Sequence, residues 1–245
     1  MEWFHRWFGE EYLLVYEHRD NREAECEVEG ITGLLDLKRG DLILDLCCGP
    51  GRHDTFLVHK GGYKVYGLDF SMIMLKIAAD AVPSGYEYPR YIRADARKLP
   101  FADEVFDCVL NLFTSFGYFE DAENMGLVAA MARVLKPGGQ FLIDYLNPPK
   151  IRSELVGKTT REKEGMTITE EREINESERR VEKTITLTWD NTSQTFHESV
   201  RLYEVDDMLG MLESAGFKVK DVIGSMDGTP YGPDAERMIL YGSKR

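Results

Sequence analysis

The chain has 245 residues, 43% of them hydrophobic and 11% aromatic, enough for one large domain, or one domain with an insertion, around a substantial core. Its formal net charge of −13 disfavours bulk nucleic-acid binding, which runs on phosphate neutralisation, and favours small or cationic substrates. No stretch approaches the roughly 18 uninterrupted apolar residues of a spanning helix, no signal-peptide pattern is read at Met1–Phe8, and four cysteines without zinc-ligand spacing suit a reducing cytoplasm and predict no metal.

In chain order, residues 3 to about 36 read as helical. Phe4, Phe8, Tyr12 and Tyr16 recur every four residues with Trp3 and Trp7 beside them. Such a stripe packs a helix on the domain; it also suits a cover over a ligand, with Tyr12, Tyr16 and Arg19 reaching inward. From Asp41 strands and helices alternate. Asp41–Leu46 reads as a strand and Arg52–Lys60 as its helix. Lys64–Leu68 is the next strand, followed by a helix from Ser71, its N-cap, to about Ala81. Strands follow at Glu87–Arg93 and Phe106–Leu110, a helix at Asn124–Val134, a turn at Lys136-Pro-Gly-Gly139 and a strand at Gln140–Tyr145. Short connections between alternating elements predict a parallel, doubly wound sheet.

After Pro148-Pro149 the pattern changes. Met166–Ile174, Val181–Asp190 and Thr195–Tyr203 alternate as three antiparallel strands, with turns at Asn175-Glu-Ser-Glu and Asp190-Asn-Thr-Ser. A helix at Val205–Ala215 closed by Gly216, and strands at Phe217–Ile223 and Arg237–Gly242, complete the chain. The expected fold is α/β: a Rossmann-like, doubly wound, mostly parallel seven-stranded sheet with an inserted antiparallel β-meander.

The chemistry concentrates where Asp45-Leu-Cys-Cys-Gly-Pro-Gly51 joins the first strand to its helix. A small-residue strand-to-helix turn brings backbone N–H groups close to a ligand. A nicotinamide or flavin site wants Gly-x-Gly-x-x-Gly to seat a pyrophosphate. Here the spacing is Asp-x-Cys-x-Gly-x-Gly, and a carboxylate at the turn repels a pyrophosphate while accepting from an ammonium or hydroxyl. A cationic or zwitterionic cofactor fits. Asp69, 24 residues after Asp45, ends the second strand, where a carboxylate accepts both hydroxyls of a ribose. Asp95, in Arg93-Ala-Asp-Ala-Arg97, follows the third strand. Three carboxylates thus stand at three adjacent strand ends, where an open parallel sheet forms its ligand crevice. The adjacent Cys47 and Cys48 read as small residues of the turn rather than a redox pair.

The turn resembles motif I of class I S-adenosylmethionine-dependent methyltransferases, Asp/Glu-x-Gly-x-Gly-x-Gly, with Cys47 in place of the first glycine. Asp95 resembles the acidic residue of motif III, and Leu135-Lys-Pro-Gly-Gly139 the turn frequent in that superfamily. The wider pattern, with Tyr12-x3-Tyr16-x-His18-Arg-Asp20 and the run Asn111–Phe119, is similar to bacterial and archaeal small-molecule methyltransferases of the sugar-amine N-methyltransferase or glycine/sarcosine type.

The resemblance implies S-adenosylmethionine as cofactor, S-adenosylhomocysteine as product, and a cofactor site of Tyr12, Tyr16, Arg19, Asp45, Cys47, Gly49, Gly51, Asp69, Phe70, Asp95, Ala96, Asn111 and Leu112. It implies that Ser115, Phe116 and Tyr118 face the acceptor; Tyr231 and Arg237 are read as candidates for the rim. His18 and Tyr118 are the candidates for a base or orienting group. The implied organisation is one methyltransferase domain over 1–245: a helical cover at 1–36, the cofactor-binding core at 37–150, the insertion near the substrate mouth at 151–204, and the last helix with the final two strands at 205–245. The expected activity is in-line methyl transfer to nitrogen or oxygen of a small molecule by a cytoplasmic monomer or homodimer, with neither membrane nor nucleic acid as partner. The alternatives are a methyltransferase acting on RNA or a peptide, and a non-catalytic cofactor-binding protein.

Overall fold

The computed structural model describes residues 2–16, 21–190 and 192–245. Three N-terminal helices, α1 (Phe4–Trp7), α2 (Glu10–Val15) and α3 (Asn21–Leu34), replace the single helix expected over 3–36. Gly9, with extended backbone, separates α1 from α2.

The core then runs β1 (Leu42–Leu46), α4 (Arg52–Phe56, continuing as a π-helical turn over Leu57–Gly61), β2 (Lys64–Asp69), α5 (Met72–Asp80), β3 (Arg90–Arg93), β4 (Phe106–Asn111), α6 (Asp121–Val134) and β5 (Leu135–Leu146). After α7 (Pro148–Glu154) come β6 (Lys158–Lys163), β7 (Met166–Asn175), β8 (Arg180–Trp189) and β9 (Thr192–Arg201), and the chain closes with α8 (Val205–Ser214), β10 (Phe217–Ile223) and β11 (Arg237–Lys244).

One sheet has seven strands in the order β10-β11-β5-β4-β1-β2-β3. β11 is antiparallel to both its neighbours, and the remaining pairs are parallel. The order reverses at β1 and β4, so the crevice at their carboxyl ends is the topological switch point where such sheets take ligands. Both faces are covered. Leu44, Leu46, Val109, Phe141 and Ile143 point into one apolar cluster and Ile43, Val65, Leu110 and Leu142 into another, as expected of buried parallel strands. Ser71 caps α5, its Oγ accepting from the Met74 amide.

The insertion is a four-stranded antiparallel sheet, β6-β7-β8-β9, not three strands. β6 escaped the sequence reading because Lys-Thr-Thr-Arg-Glu-Lys carries no apolar alternation and lies on the exposed edge. α7 was missed because two prolines read as a stop, although proline is welcome in a helix's first turn. β5 begins at Leu135 rather than Gln140; it pairs with β4 on both sides of Pro137-Gly-Gly139, which forms an irregularity within the strand.

The small sheet lies against α1 and α2. Trp7, fully buried, packs with Val15, Ile168, Ile185, Leu187 and Phe196. Beside this apolar patch runs a charged row. Glu170 is 5% exposed and meets Arg161 at 2.7 Å, Lys183 at 3.0 Å and Arg172 at 3.1 Å. Arg161 also donates to the Val15 carbonyl and Lys163 to that of Leu14, so the row holds the end of α2. Burial alone would raise the Glu170 carboxyl; Lys183, Arg172 and Arg161 outweigh it and hold the value at about 2.

An acid held below its ordinary value stabilises the fold above that value and loses the contribution as pH falls toward the folded one. Glu170→Gln is therefore expected to cost roughly 2 kcal/mol in urea unfolding at pH 7. The difference from wild type should fade between pH 4.5 and about 2, and a pH-independent difference contradicts the ion-pair account.

Candidate active site

The turn after β1 folds with three left-handed residues at alternate positions, Cys47 (φ 65°), Gly49 (φ 56°) and Gly51 (φ 70°). Glycine adopts this region freely; cysteine there costs about 1–2 kcal/mol. The turn is closed by hydrogen bonds from the Cys48 amide to the Leu68 carbonyl (3.0 Å) and from the Gly49 amide to Asp69 Oδ2 (2.9 Å). Asp69 Oδ1 accepts from the Ser71 amide at 2.8 Å. Burial raises the Asp69 carboxyl, against the pull of these amides.

The turn floors a cavity of about 320 Å³, a volume within the range of small-molecule sites. Asp45, Asp69 and Asp95 all border it, with Cys47 and Gly49 between the first two. Phe70 and Ala96 line the side toward β2 and β3, and Leu112, Ser115 and Tyr118 the side toward β4. The lid is the aromatic stripe: Phe4, Phe8, Tyr12 and Tyr16 all border the cavity, the four-residue period surviving the break at Gly9. Tyr118 packs on Trp3 and Phe8, with ring centroids 5.0 and 5.9 Å apart. Tyr16 donates to Glu198 Oε1 at 2.9 Å and accepts from Lys183, and Trp7 Nε1 also donates to Glu198. The small sheet thereby fixes the lid.

Other expected site residues lie elsewhere. Phe116 is fully buried and packs on Tyr145 and Tyr203; it is core, because Gly117 (φ 88°) turns the chain after it. Asn111 is fully buried outside the cavity lining, its Nδ2 donating to the Leu46 carbonyl and tying β4 to β1. Gly51 also lies behind the lining: a Cβ there would overlap the Tyr91 hydroxyl. Tyr231 donates to Asn147 Oδ1 at 3.0 Å, away from the cavity. Arg237 is not on the rim either. Its Nε donates to Asp144 Oδ1 (2.7 Å) and its Nη2 to Thr114 Oγ1 (2.7 Å), while Asp144 Oδ2 accepts from the Phe113 amide. This pair holds Phe113 and Thr114 in consecutive left-handed conformations (φ 60° and 57°) and so shapes the loop that presents Leu112 and Ser115. His18 and Arg19 fall outside the described residues.

Asp95 borders the cavity but is gripped by Arg97, which donates to both its oxygens at 2.8–3.1 Å and also through its backbone amide. That grip holds the Asp95 carboxyl below its usual range. Burial raises the Asp45 carboxyl and pushes both turn thiols far up, so Cys47 and Cys48 are not nucleophilic thiolates.

Several residues were not anticipated. Arg180, 8% exposed, donates to the carbonyls of Gly117, Tyr118 and Phe119 and pins the loop after β4 to the small sheet. Glu198 and Lys183 anchor the lid. Their sequence signal was only a charged alternating strand, which also describes a solvated face. His53 borders the cavity with its ring against Glu27 at 2.7 Å.

Residues 43–139 match the family described as "Methyltransferase domain". Over that stretch the chain is similar to methyltransferase domains. Over 120 residues it is 35% identical to a demethylmenaquinone methyltransferase of Bacillus licheniformis, covering 48% of this chain and 50% of that protein. Over 112 residues it is 39% identical to the chloroplastic 2-phytyl-1,4-beta-naphthoquinone methyltransferase of Arabidopsis thaliana, covering 43% of this chain and 42% of the relative. The chain spans about half the length of the curated relatives it matches. Similarity to solved structures is more extensive. The sugar N-methyltransferase KedS8 of a Streptoalloteichus species superposes with a TM-score of 0.70 at 26% identity, over 97% of this chain and 94% of that one. An S-adenosylmethionine-dependent methyltransferase from Clostridium acetobutylicum gives a TM-score of 0.79 at 20% identity, over 95% and 94%. The whole described fold, small sheet and lid included, is therefore a methyltransferase fold of class I.

The two glycines of the turn separate strain from overlap. A Cβ on Gly49 meets no atom within 4 Å, so Gly49→Ala should cost about 1–2 kcal/mol, the left-handed penalty alone. Gly51→Ala adds the collision with Tyr91 and should cost roughly 3 kcal/mol or more. Urea unfolding of the two variants checks this, and equal costs would contradict the packing seen around Gly51.

Proposed function

We propose that the protein is an S-adenosylmethionine-dependent methyltransferase that methylates nitrogen or oxygen of a small molecule by in-line displacement. The observation that carries the reading is the convergence of Asp45, Asp69 and the glycine turn on one cavity under an aromatic lid. The cavity fits this cofactor better than a dinucleotide. Its floor carries the Asp45 and Asp69 carboxyls, which a pyrophosphate would meet with repulsion.

When bound, the cofactor supplies a methyl group already activated by its sulfonium. Asp45 would hold its ammonium. Asp69 keeps lone pairs beyond the two amide bonds for the ribose hydroxyls. Asp95, held by Arg97, would hold the adenine together with the Ala96 backbone and Phe70. Phe8, Tyr12, Tyr16 and Tyr118 exclude water and hold the acceptor in line, an effect of proximity and orientation. Tyr118, one of the hydroxyl-bearing residues of the cavity wall, would orient a protonated nucleophile. An acceptor with an apolar or aromatic body suits these walls. Cations near the loop after β4 are committed, Arg237 to Asp144 and Arg180 to loop carbonyls, which favours a small molecule over RNA. Four free cysteines accord with a reducing cytoplasm, where the protein acts as a monomer or homodimer.

Calorimetric titration with S-adenosylmethionine and S-adenosylhomocysteine tests the reading. Saturable heat is expected, with about 2.7 kcal/mol of added stability at a hundredfold excess over Kd. Asp69→Ala should weaken binding at least tenfold, about 1.4 kcal/mol. Absence of heat and of thermal shift with both ligands overturns it. Binding without transfer of labelled methyl to any member of a metabolite panel instead favours a non-catalytic binder.

A further inference from the structure

Beneath the glycine turn lies a carboxylate that the scheme above leaves unused. Asp54, in the first turn of α4, is fully buried, and Asp45 beside it is 1% exposed. Asp54 Oδ2 lies against Gly67 of β2, the strand partner of Asp45, so the two carboxyls share one side of the sheet beneath the turn. Two ionised carboxylates have no proton to exchange, and no backbone or cationic donor faces either Asp54 oxygen or Asp45 Oδ1. The Tyr91 hydroxyl, buried as well, borders Asp54 on the remaining side. The packing leaves no slack: a Cβ on Gly67 of β2 would stand 2.7 Å from Asp54 Oδ2.

We propose that Asp45 and Asp54 share one proton, and that Asp54 is a positioning residue that donates this proton to Asp45 and turns the single remaining negative charge toward the ammonium of the cofactor. The inference rests on the cofactor reading above.

Two buried carboxyls on one side of the turn, without donors of their own, cannot both ionise without an uncompensated charge. The surrounding groups do not outweigh burial. From α4 itself, His53 pulls the Asp45 carboxyl down by less than burial raises it, and its ring is shared with Glu27 of α3, which Arg52 also faces. The turn contributes the thiols of Cys47 and Cys48, β2 contributes Asp69, and β3 contributes Tyr91; all are neutral or acidic. Burial is the largest influence on both carboxyls and raises each, Asp54 the more. A shared proton leaves the turn with one charge instead of two, which matches one ammonium.

The sign of the pH effect follows. A carboxyl raised in the folded state favours folding while protonated and loses that contribution as pH climbs from its unfolded value, about 4, toward the folded one. Wild type should therefore lose close to tenfold in folding equilibrium constant per pH unit relative to Asp54→Asn across this window. The Asn amide donates the same hydrogen bond and cannot titrate.

The experiment pairs urea unfolding between pH 5 and 8 with titration of S-adenosylhomocysteine and of its analogue lacking the amino group. Asp54→Asn should flatten the pH slope by about one proton and bind both ligands within threefold of wild type, a rescue by the conservative donor. Asp54→Leu, which cannot donate, should lose about tenfold or more for S-adenosylhomocysteine and nothing for the deaminated analogue. Equal losses for both ligands with Leu, or a loss with Asn as large as with Leu, overturn the positioning role. An unchanged slope in Asp54→Asn overturns the shared proton. Failure of wild type to bind either ligand overturns the cofactor reading and the orientation of Asp45 with it, while the pH slope still judges the proton.

Discussion

The hydrogen bond from the Gly49 amide to Asp69 Oδ2 joins the two strand ends on which the cavity rests. It crosses from the turn after β1 to the end of β2, and it depends on three left-handed residues placing that amide outward. Parallel pairing of β1 with β2 puts Asp45 opposite Gly67 and Leu46 opposite Leu68, so the turn begins level with Asp69. The ordered hydrogen-bond ladder of the sheet thus delivers two carboxylates and a glycine backbone to one place before any side chain outside the core contributes. Strain at Cys47 persists because the surrounding bonds over-determine the turn.

The second layer of the site is built by long-range polar contacts. Glu198 binds Trp7 and Tyr16, Arg161 and Lys163 hold the end of α2, and Arg180 collects the carbonyls of residues 117–119. Each contact fixes a cavity wall to the small sheet rather than to the core sheet. The lid and the loop after β4 accordingly share one support. Asp144 and Arg237 fix the base of the same loop from the opposite side. The cavity-lining residues of that loop are therefore positioned by groups that do not themselves line the cavity.

Much of the core sheet was legible. Its strands are short apolar runs bounded by acidic or glycine-rich turns, and each helix between them carries a cap or terminator, as at Ser71. The errors have physical causes. A polar edge strand, β6, has no alternation to read, and a proline-initiated helix, α7, looks like a stop. Within the site, Asp45, Asp69, Cys47 and Gly49 were legible because the turn that carries them is local. Phe116, Asn111, Tyr231 and Arg237 were misplaced because a side chain's direction after a strand depends on loop conformation. Consecutive left-handed residues at 113 and 114 and the bend at Gly117 decide that direction.

By itself the sequence determined the alternation of elements, the glycine turn and the strand-end carboxylates. These depend on periodicity and on backbone conformations available to neighbouring residues. The tertiary structure alone decided which carboxylates are open and which are taken. Asp95 is closed by Arg97, itself bound to Glu123 of α6, and Asp54 of α4 is packed against Gly67, the strand partner of Asp45. Such pairings are set by packing between segments distant in space from their sequence cues, and charge state follows the burial that packing creates.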